Sequence, residues 1–194
     1  MSYPINGLPA RWLVAIALSL ALLAGCQAAQ PLPPEENQAA VDRMLSLVDE
    51  RLEVALLVAR AKWNTGTNIE APKRETEILN RVASRAAGAG VDEAFARGFF
   101  QAQFEASKLV QRRLHRRWQD EERGLFDNPP ALAEDVRPVL DRLTPALIES
   151  LADWQLLIED PRVALYLESR ATELVTDDFG GEPRRVALEP LKTQ

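Results

Sequence analysis

Two cations stand in the apolar stripe of the first predicted helix, where a soluble helix normally carries core residues. The stretch RLEVALLVARAKW, residues 51–63, contains neither Gly nor Pro and consists mainly of good helix formers. Eleven residues span about three turns, so Arg51 and Lys62 fall on one face, roughly 16 Å apart. The apolar residues of that face are Met44, Leu47, Val48, Ala55 and Val58. Because an unpaired buried charge costs several kcal/mol, both cations need anionic partners.

The anions facing these cations have two possible sources. Internal carboxylates of the chain, such as Glu53, Glu105 or Asp141, could form buried ion pairs with them. Alternatively, the anions belong to a bound ligand, in which case the helix carries part of a binding site.

A later helix also places polar groups in an apolar stripe. Phe100, Phe104 and Leu114 recur at helical spacing, and Ser107 and Gln111, four residues apart, stand within that stripe. A hydroxyl and an amide are thereby set into a seam that should otherwise be apolar.

A third cation lies at the start of the second predicted helix, in PKRE, residues 72–75. The N-terminus of a helix favours anions through its free N–H groups and its dipole, and Arg74 adds a guanidinium there. The alternative interpretation of Arg74 is an ordinary solvated first turn.

Taken together, these residues resemble the site of the all-helical chorismate mutases, over roughly residues 40–160. The residues that carry the resemblance are Arg51, Lys62 with Trp63, Arg74 with Glu75, Ser107 and Gln111. An N-terminal leader, the Lys-Trp pair and a long C-terminal extension resemble the exported γ subclass of that family.

The resemblance implies a unimolecular reaction. Chorismate, a dicarboxylate enol ether, rearranges to prephenate without nucleophile, general base, metal or cofactor. An enzyme helps by holding the compact conformer and by stabilising charge as the ether bond breaks. By resemblance, Arg51 and Arg74 hold carboxylates, while Lys62 and Gln111 donate to the ether oxygen.

Three further roles follow from the resemblance. Ser107 is expected to hydrogen-bond a carboxylate of the substrate, and Glu75 its ring hydroxyl. In the exported subclass one more arginine comes from the C-terminal extension of the same chain. Arg137, in DVRPVLD, is the candidate for that role, and a plain surface arginine is the alternative.

The composition predicts an all-α protein, because Leu, Ala, Glu and Arg dominate while Gly is scarce. The expected architecture is a type II chorismate mutase bundle of three core helices plus a helical extension, over residues 36–176. A flexible tail is expected from residue 177 to residue 194, and Thr144 with Pro145 is expected to begin a helix. The predicted helices cover about 36–64, 72–88, 93–123, 146–158 and 161–175.

The N-terminus has the form of an export signal. A short apolar run follows Arg11 and ends in LAGC, which resembles the lipobox of bacterial lipoproteins with Cys26 as its acylated residue. Residues 1–25 are therefore predicted as signal peptide and residues 26–35 as a Pro-rich tether. The residue after Cys26 is Gln27 rather than Asp, which favours the periplasmic side of the outer membrane. A plain secretory leader is the alternative.

The sequence thus predicts an exported, lipid-anchored chorismate mutase. Its net charge of −6 argues against a nucleic-acid partner, and no carboxylate or histidine cluster has the spacing of a metal site. The expected partners are chorismate and the membrane, through the lipid on Cys26, and the family resemblance suggests a homodimer. The rival interpretation is a non-catalytic helical envelope lipoprotein that binds a small dianion or a protein.

Overall fold

A computed structural model describes residues 31–192, and the predicted signal peptide, Cys26 and residues 26–30 of the tether lie outside that range. The all-α prediction is confirmed, and no helix of residues 31–192 is both long and apolar enough to cross a membrane. A turn of π-helix covers Leu132–Val136, and a 3-10 turn covers Glu189–Leu191. The helices are α1 (Glu35–Thr65), α2 (Pro72–Gly88), α3 (Glu93–Asp120), α4 (Arg137–Leu157), α5 (Pro161–Leu174) and α6 (Glu182–Leu188).

Local signals set the ends of the first three helices. The chain leaves α1 at Gly66, whose φ of 65° suits a residue without a side chain. Pro72 occupies the first turn of α2, and the carboxylate of Asp92 accepts a hydrogen bond of 2.7 Å from the backbone N–H of Phe95 at the start of α3. These helices agree with the predicted bounds to within three residues.

The fourth helix begins earlier than predicted. It starts at Arg137, and Pro145 lies inside it rather than at its start. Thr144 does not cap the helix: its hydroxyl donates a hydrogen bond of 2.7 Å to the carbonyl of Leu140, one turn back. Burial on both sides of the proline explains the continuous helix, because packing outweighs the local cost of a missing N–H. The buried residues are Leu143, Leu147, Ile148 and Leu151.

The core surrounds α1, which packs against α3, α4 and α5. Fully buried aromatic and aliphatic side chains from these helices form one large cluster. Its largest members include Trp154, Phe99, Phe100, Met44, Leu45, Leu147, Leu151 and Leu167. The packed helices α1 and α3 carry four of the predicted site residues, which are Arg51, Lys62, Ser107 and Gln111.

The C-terminal segment is part of the core, so the predicted flexible tail is wrong for residues 182–191. Ala187, Leu188 and Leu191 are at most 2% exposed and join the main cluster. The side-chain amide of Gln103, on α3, donates a hydrogen bond of 2.8 Å to the carbonyl of Ala187. Only seven residues long, α6 lacks a strong local helix signal and depends on this docking.

Candidate active site

A small cleft of about 120 Å³ lies between α1, α2 and the beginning of α4. The structure brings three of the predicted site residues, Arg51, Arg74 and Arg137, to its lining. The complete set of charged residues at this cleft is Arg51, Arg74, Arg81, Arg85, Arg137 and Asp141. The lining therefore contains five positive charges and one negative charge.

Arg51 is the buried member of this set. Only 8% of the residue is exposed, and its Nε and Nη1 have no hydrogen-bond partner among the described residues. The guanidinium carbon lies 5.8 Å from the ring centre of Phe100 and 5.6 Å from that of Phe104. Desolvation by burial lowers the pKa of Arg51 to about 10, which still leaves it charged at neutral pH.

Internal carboxylates do not neutralise Arg51. Within residues 31–192 it forms no ion pair, and Glu105 is paired instead with Lys108 at 2.7 Å. Asp141 lines the cleft but makes no ion pair with Arg51 in the described part of the chain. The interpretation of Arg51 as half of an internal ion pair is therefore wrong within residues 31–192, and an anionic ligand would not have to displace an internal carboxylate from it.

Lys62 does not line this cleft and lies instead in an open depression lined also by Trp63 and Ile69. Its ammonium is half-buried and donates a hydrogen bond of 2.7 Å to the carbonyl of Ile69. Burial lowers the pKa of Lys62, Glu75 opposes that shift, and Arg74 adds to it. Lys62 therefore interacts electrostatically with the first turn of α2. Among the described residues it makes no ion pair, so the internal-pair interpretation fails here as well.

The predicted pair on α3 makes direct contact. The amide nitrogen of Gln111 donates a hydrogen bond of 3.1 Å to the hydroxyl of Ser107. Gln111 is 4% exposed, and its Oε1 is buried without a partner in the described part of the chain. The amide has a second N–H, so Gln111 can donate to another group while it contacts Ser107.

Lys108 is a buried residue of this region that the sequence interpretation missed. Its ammonium lies 2.7 Å from Glu105, 3.1 Å from Glu75 and 3.4 Å from Glu70, and its side chain is 9% exposed. Desolvation alone would lower the pKa of Lys108, but the hydrogen bonds to Glu105 and Glu75 outweigh it and raise the pKa. The sequence contained one signal that could have identified Lys108 as a site residue. It directly follows Ser107, and it stands three residues after Glu105, a spacing that favours an ion pair within a helix.

Glu75 is therefore held at two points. One oxygen accepts from Lys108, and the other lies 3.4 Å from the backbone nitrogen of Ala71. Arg74, one residue earlier, is exposed and has no ion-pair partner among residues 31–192, yet it lines the cleft with Arg51. Arg74 is therefore part of the cleft lining, and the interpretation of it as only a solvated residue of the first turn is wrong.

The fold and the cleft define a class of protein. The bundle is all-helical, and one small cleft combines a buried arginine that has no ion pair within residues 31–192 with four further arginines. Such a lining is suited to a small molecule with more than one negative charge. No cluster of three or more His, Cys, Asp or Glu suited to a metal occurs among the described residues.

Comparison with known proteins makes the class specific. The family model described as chorismate mutase type II matches residues 39–112. A chorismate mutase structure from Burkholderia thailandensis is 35% identical, with a TM-score of 0.70 over 78% of this chain and 98% of that chain. The chain belongs to the chorismate mutase type II family.

Two further relatives extend over most of the chain. The secreted chorismate mutase of Mycolicibacterium smegmatis is 25% identical over 174 residues, which is 89% of this chain and 94% of that protein. A chorismate mutase structure from Burkholderia phymatum is 23% identical, with a TM-score of 0.72 over 81% of this chain and 99% of that chain, and it supports the fold.

Proposed function

We propose that this enzyme, a chorismate mutase, rearranges chorismate to prephenate at the cleft between α1, α2 and α4, with Lys62 and the polar residues of α3 reaching the substrate from outside the cleft lining. The observation that supports this most directly is Arg51, a buried charge without an anion among the described residues. A dicarboxylate substrate supplies that anion. The reaction needs only a bound conformation and charge stabilisation, so binding groups are sufficient for catalysis.

Arg51, Arg74 and Arg137 hold the two carboxylates of the substrate. All three line one cleft, and a guanidinium can bind a carboxylate through two parallel hydrogen bonds. Holding both carboxylates selects the compact conformer in which the reacting carbons meet. Preorganising that conformer removes part of the entropic barrier of the reaction.

Lys62 and Gln111 donate to the ether oxygen as negative charge develops on it. To do so, Lys62 exchanges the carbonyl of Ile69 for the substrate, whereas Gln111 uses the N–H that does not contact Ser107. A donor that meets its acceptor more strongly in the transition state than in the ground state lowers the barrier.

Ser107 and Glu75 complete the site. The hydroxyl of Ser107 binds a substrate carboxylate, and its contact with Gln111 places it beside the reacting ether. Glu75 accepts a hydrogen bond from the ring hydroxyl. The side chain is already held by Lys108, so the substrate does not have to order it.

We further propose that the protein is exported and lipid-anchored. The leader and the LAGC sequence ending at Cys26 support this, as does the similarity to a mycobacterial protein named as secreted. Acylation of Cys26 would hold the enzyme at the outer membrane. Export of the protein would agree with the exported γ subclass of the family. Incorporation of labelled palmitate that is lost in Cys26→Ser tests the anchor. A homodimer, which the family resemblance suggests, is tested by light scattering of the purified protein.

The activity is tested by mixing purified protein with chorismate and following the loss of its absorbance. Prephenate is identified by its acid conversion to phenylpyruvate. Lys62→Ala should reduce turnover by about two to three orders of magnitude without loss of helical structure. The matched control is Lys73→Ala, because Lys73 is exposed on α2 and lines neither the cleft nor the depression that contains Lys62.

Two results would contradict the proposal. A folded wild-type protein without turnover would favour the non-catalytic envelope lipoprotein. Full turnover in Lys62→Ala would leave the activity intact but remove Lys62 from its catalytic role.

A further inference from the structure

The cleft carries more positive charge than the proposed reaction requires. Two or three arginines are enough to bind the two carboxylates of the substrate, and Arg51, Arg74 and Arg137 already supply three. Arg81 and Arg85 line the same cleft and have no part in that assignment. Asp141 is the single carboxylate of the lining, so a surplus remains even when the dianion is bound.

Helix geometry places the two additional arginines along one stripe of α2. Arg74, Arg81 and Arg85 are separated by seven and four residues, which puts their side chains on the same face. Along the axis Arg81 lies roughly 10 Å and Arg85 roughly 16 Å from Arg74. Ile78 and Val82 stand between them and also line the cleft.

An ordinary solvated helix face does not account for this stripe. Glu77 stands four residues before Arg81, a spacing that favours an ion pair within a helix. The structure nevertheless shows no ion pair for Arg81 or Arg85 among residues 31–192, and both residues are exposed and line the cleft. The same cleft is lined by Arg51, a buried cation that forms no ion pair among the described residues.

We propose that Arg81 and Arg85 form a capture subsite for carboxylate anions at the exposed side of the cleft. This inference rests on the proposed function and adds residues that recruit the substrate without holding it during the rearrangement. The protein has a net charge of −6, so a dianion meets general repulsion on approach. A local excess of guanidiniums reverses that potential and raises the anion concentration at the entrance.

The test is the double variant Arg81→Gln/Arg85→Gln. Its charge-matched control is Arg116→Gln/Arg117→Gln, which removes two exposed arginines at the far end of α3. At low ionic strength the cleft variant should raise KM for chorismate about three- to ten-fold with kcat unchanged within a factor of two. The decrease of kcat/KM with added salt should be shallower than in the wild type, while the control follows the wild type.

The outcomes separate the two proposals. If the wild type turns over chorismate and the cleft variant matches the control in KM and salt dependence, the capture subsite is overturned and the function stands. If the wild type shows no turnover, the function fails, and calorimetric titration with prephenate still tests the subsite. Weaker binding of prephenate by the cleft variant than by the control variant supports the capture subsite. Equal binding by the two variants, or no binding by either, overturns it.

Discussion

The ammonium of Lys108 lies 3.1 Å from Oε2 of Glu75 and joins α3 to the first turn of α2. These two helices carry four of the proposed site residues, Arg74, Glu75, Ser107 and Gln111, so this ion pair fixes their relative position where we propose that the substrate binds. Two more carboxylates, Glu70 and Glu105, contact the same ammonium. Lys108 therefore supports the site without contacting the substrate in our proposal.

We expect Lys108→Met to lower the free energy of unfolding by about 1–3 kcal/mol, because three carboxylates lose their common partner. KM for chorismate should rise as Glu75 loses its fixed position. The stability contributed by Lys108 should persist at neutral pH and be lost as pH rises through its raised pKa. Urea unfolding and steady-state kinetics measure these effects, with Lys73→Met as the exposed control.

A double-mutant cycle distinguishes positioning from general stability. In a Glu75→Gln background, Lys108→Met should change KM much less than it does in the wild type. Equal effects in both backgrounds would show that Lys108 acts on the fold alone.

Replacing Arg51 by Met should abolish turnover and raise the free energy of unfolding by about 1–3 kcal/mol. Burial lowers the pKa of Arg51 to about 10, so its charge destabilises the folded state at every pH below about 10. That penalty is relieved as pH rises from about 10 toward the ordinary value of arginine. Thermal and urea unfolding at pH 7 check the prediction. A loss of stability would indicate that Arg51 is a structural residue.

In our proposal, Gln111 sets the pH dependence of the reaction. An amide donates a hydrogen bond at any ordinary pH, so the wild-type rate should be nearly flat between about pH 5 and 8. In Gln111→Glu only the protonated carboxyl can donate to the ether oxygen. Above the pKa of that carboxyl, kcat should fall roughly tenfold for each pH unit. A steep acid optimum in the wild type would contradict the role of Gln111.

Docking of the C-terminal segment should contribute measurably to stability. Leu188 is 2% exposed within the main core cluster, so Leu188→Ala should cost about 2–4 kcal/mol. Leu156→Ala is the control, because Leu156 is 82% exposed and should change stability by less than about 0.5 kcal/mol. Equal melting temperatures for the two variants would support a loosely attached tail.

Local signals in the sequence determined where the first three helices begin and end, and therefore which polar residues share a helix face. Gly66, Pro72 and Asp92 set helix ends through backbone conformation and capping, which involve only nearby residues. The fixed rise of a helix likewise places Ser107 against Gln111. The family resemblance added the expected roles of these residues.

Tertiary structure alone decided the remaining features, because each depends on residues far apart in the chain. Burial of Leu143 and Leu147 carries α4 through Pro145, and core contacts hold the C-terminal segment that local sequence leaves unspecified. The partners of Lys108 come from the loop before α2, from α2 and from α3. The absence of an internal partner for Arg51 within residues 31–192 could be established only when the surrounding helices were in place, since burial and pairing are properties of the packed molecule.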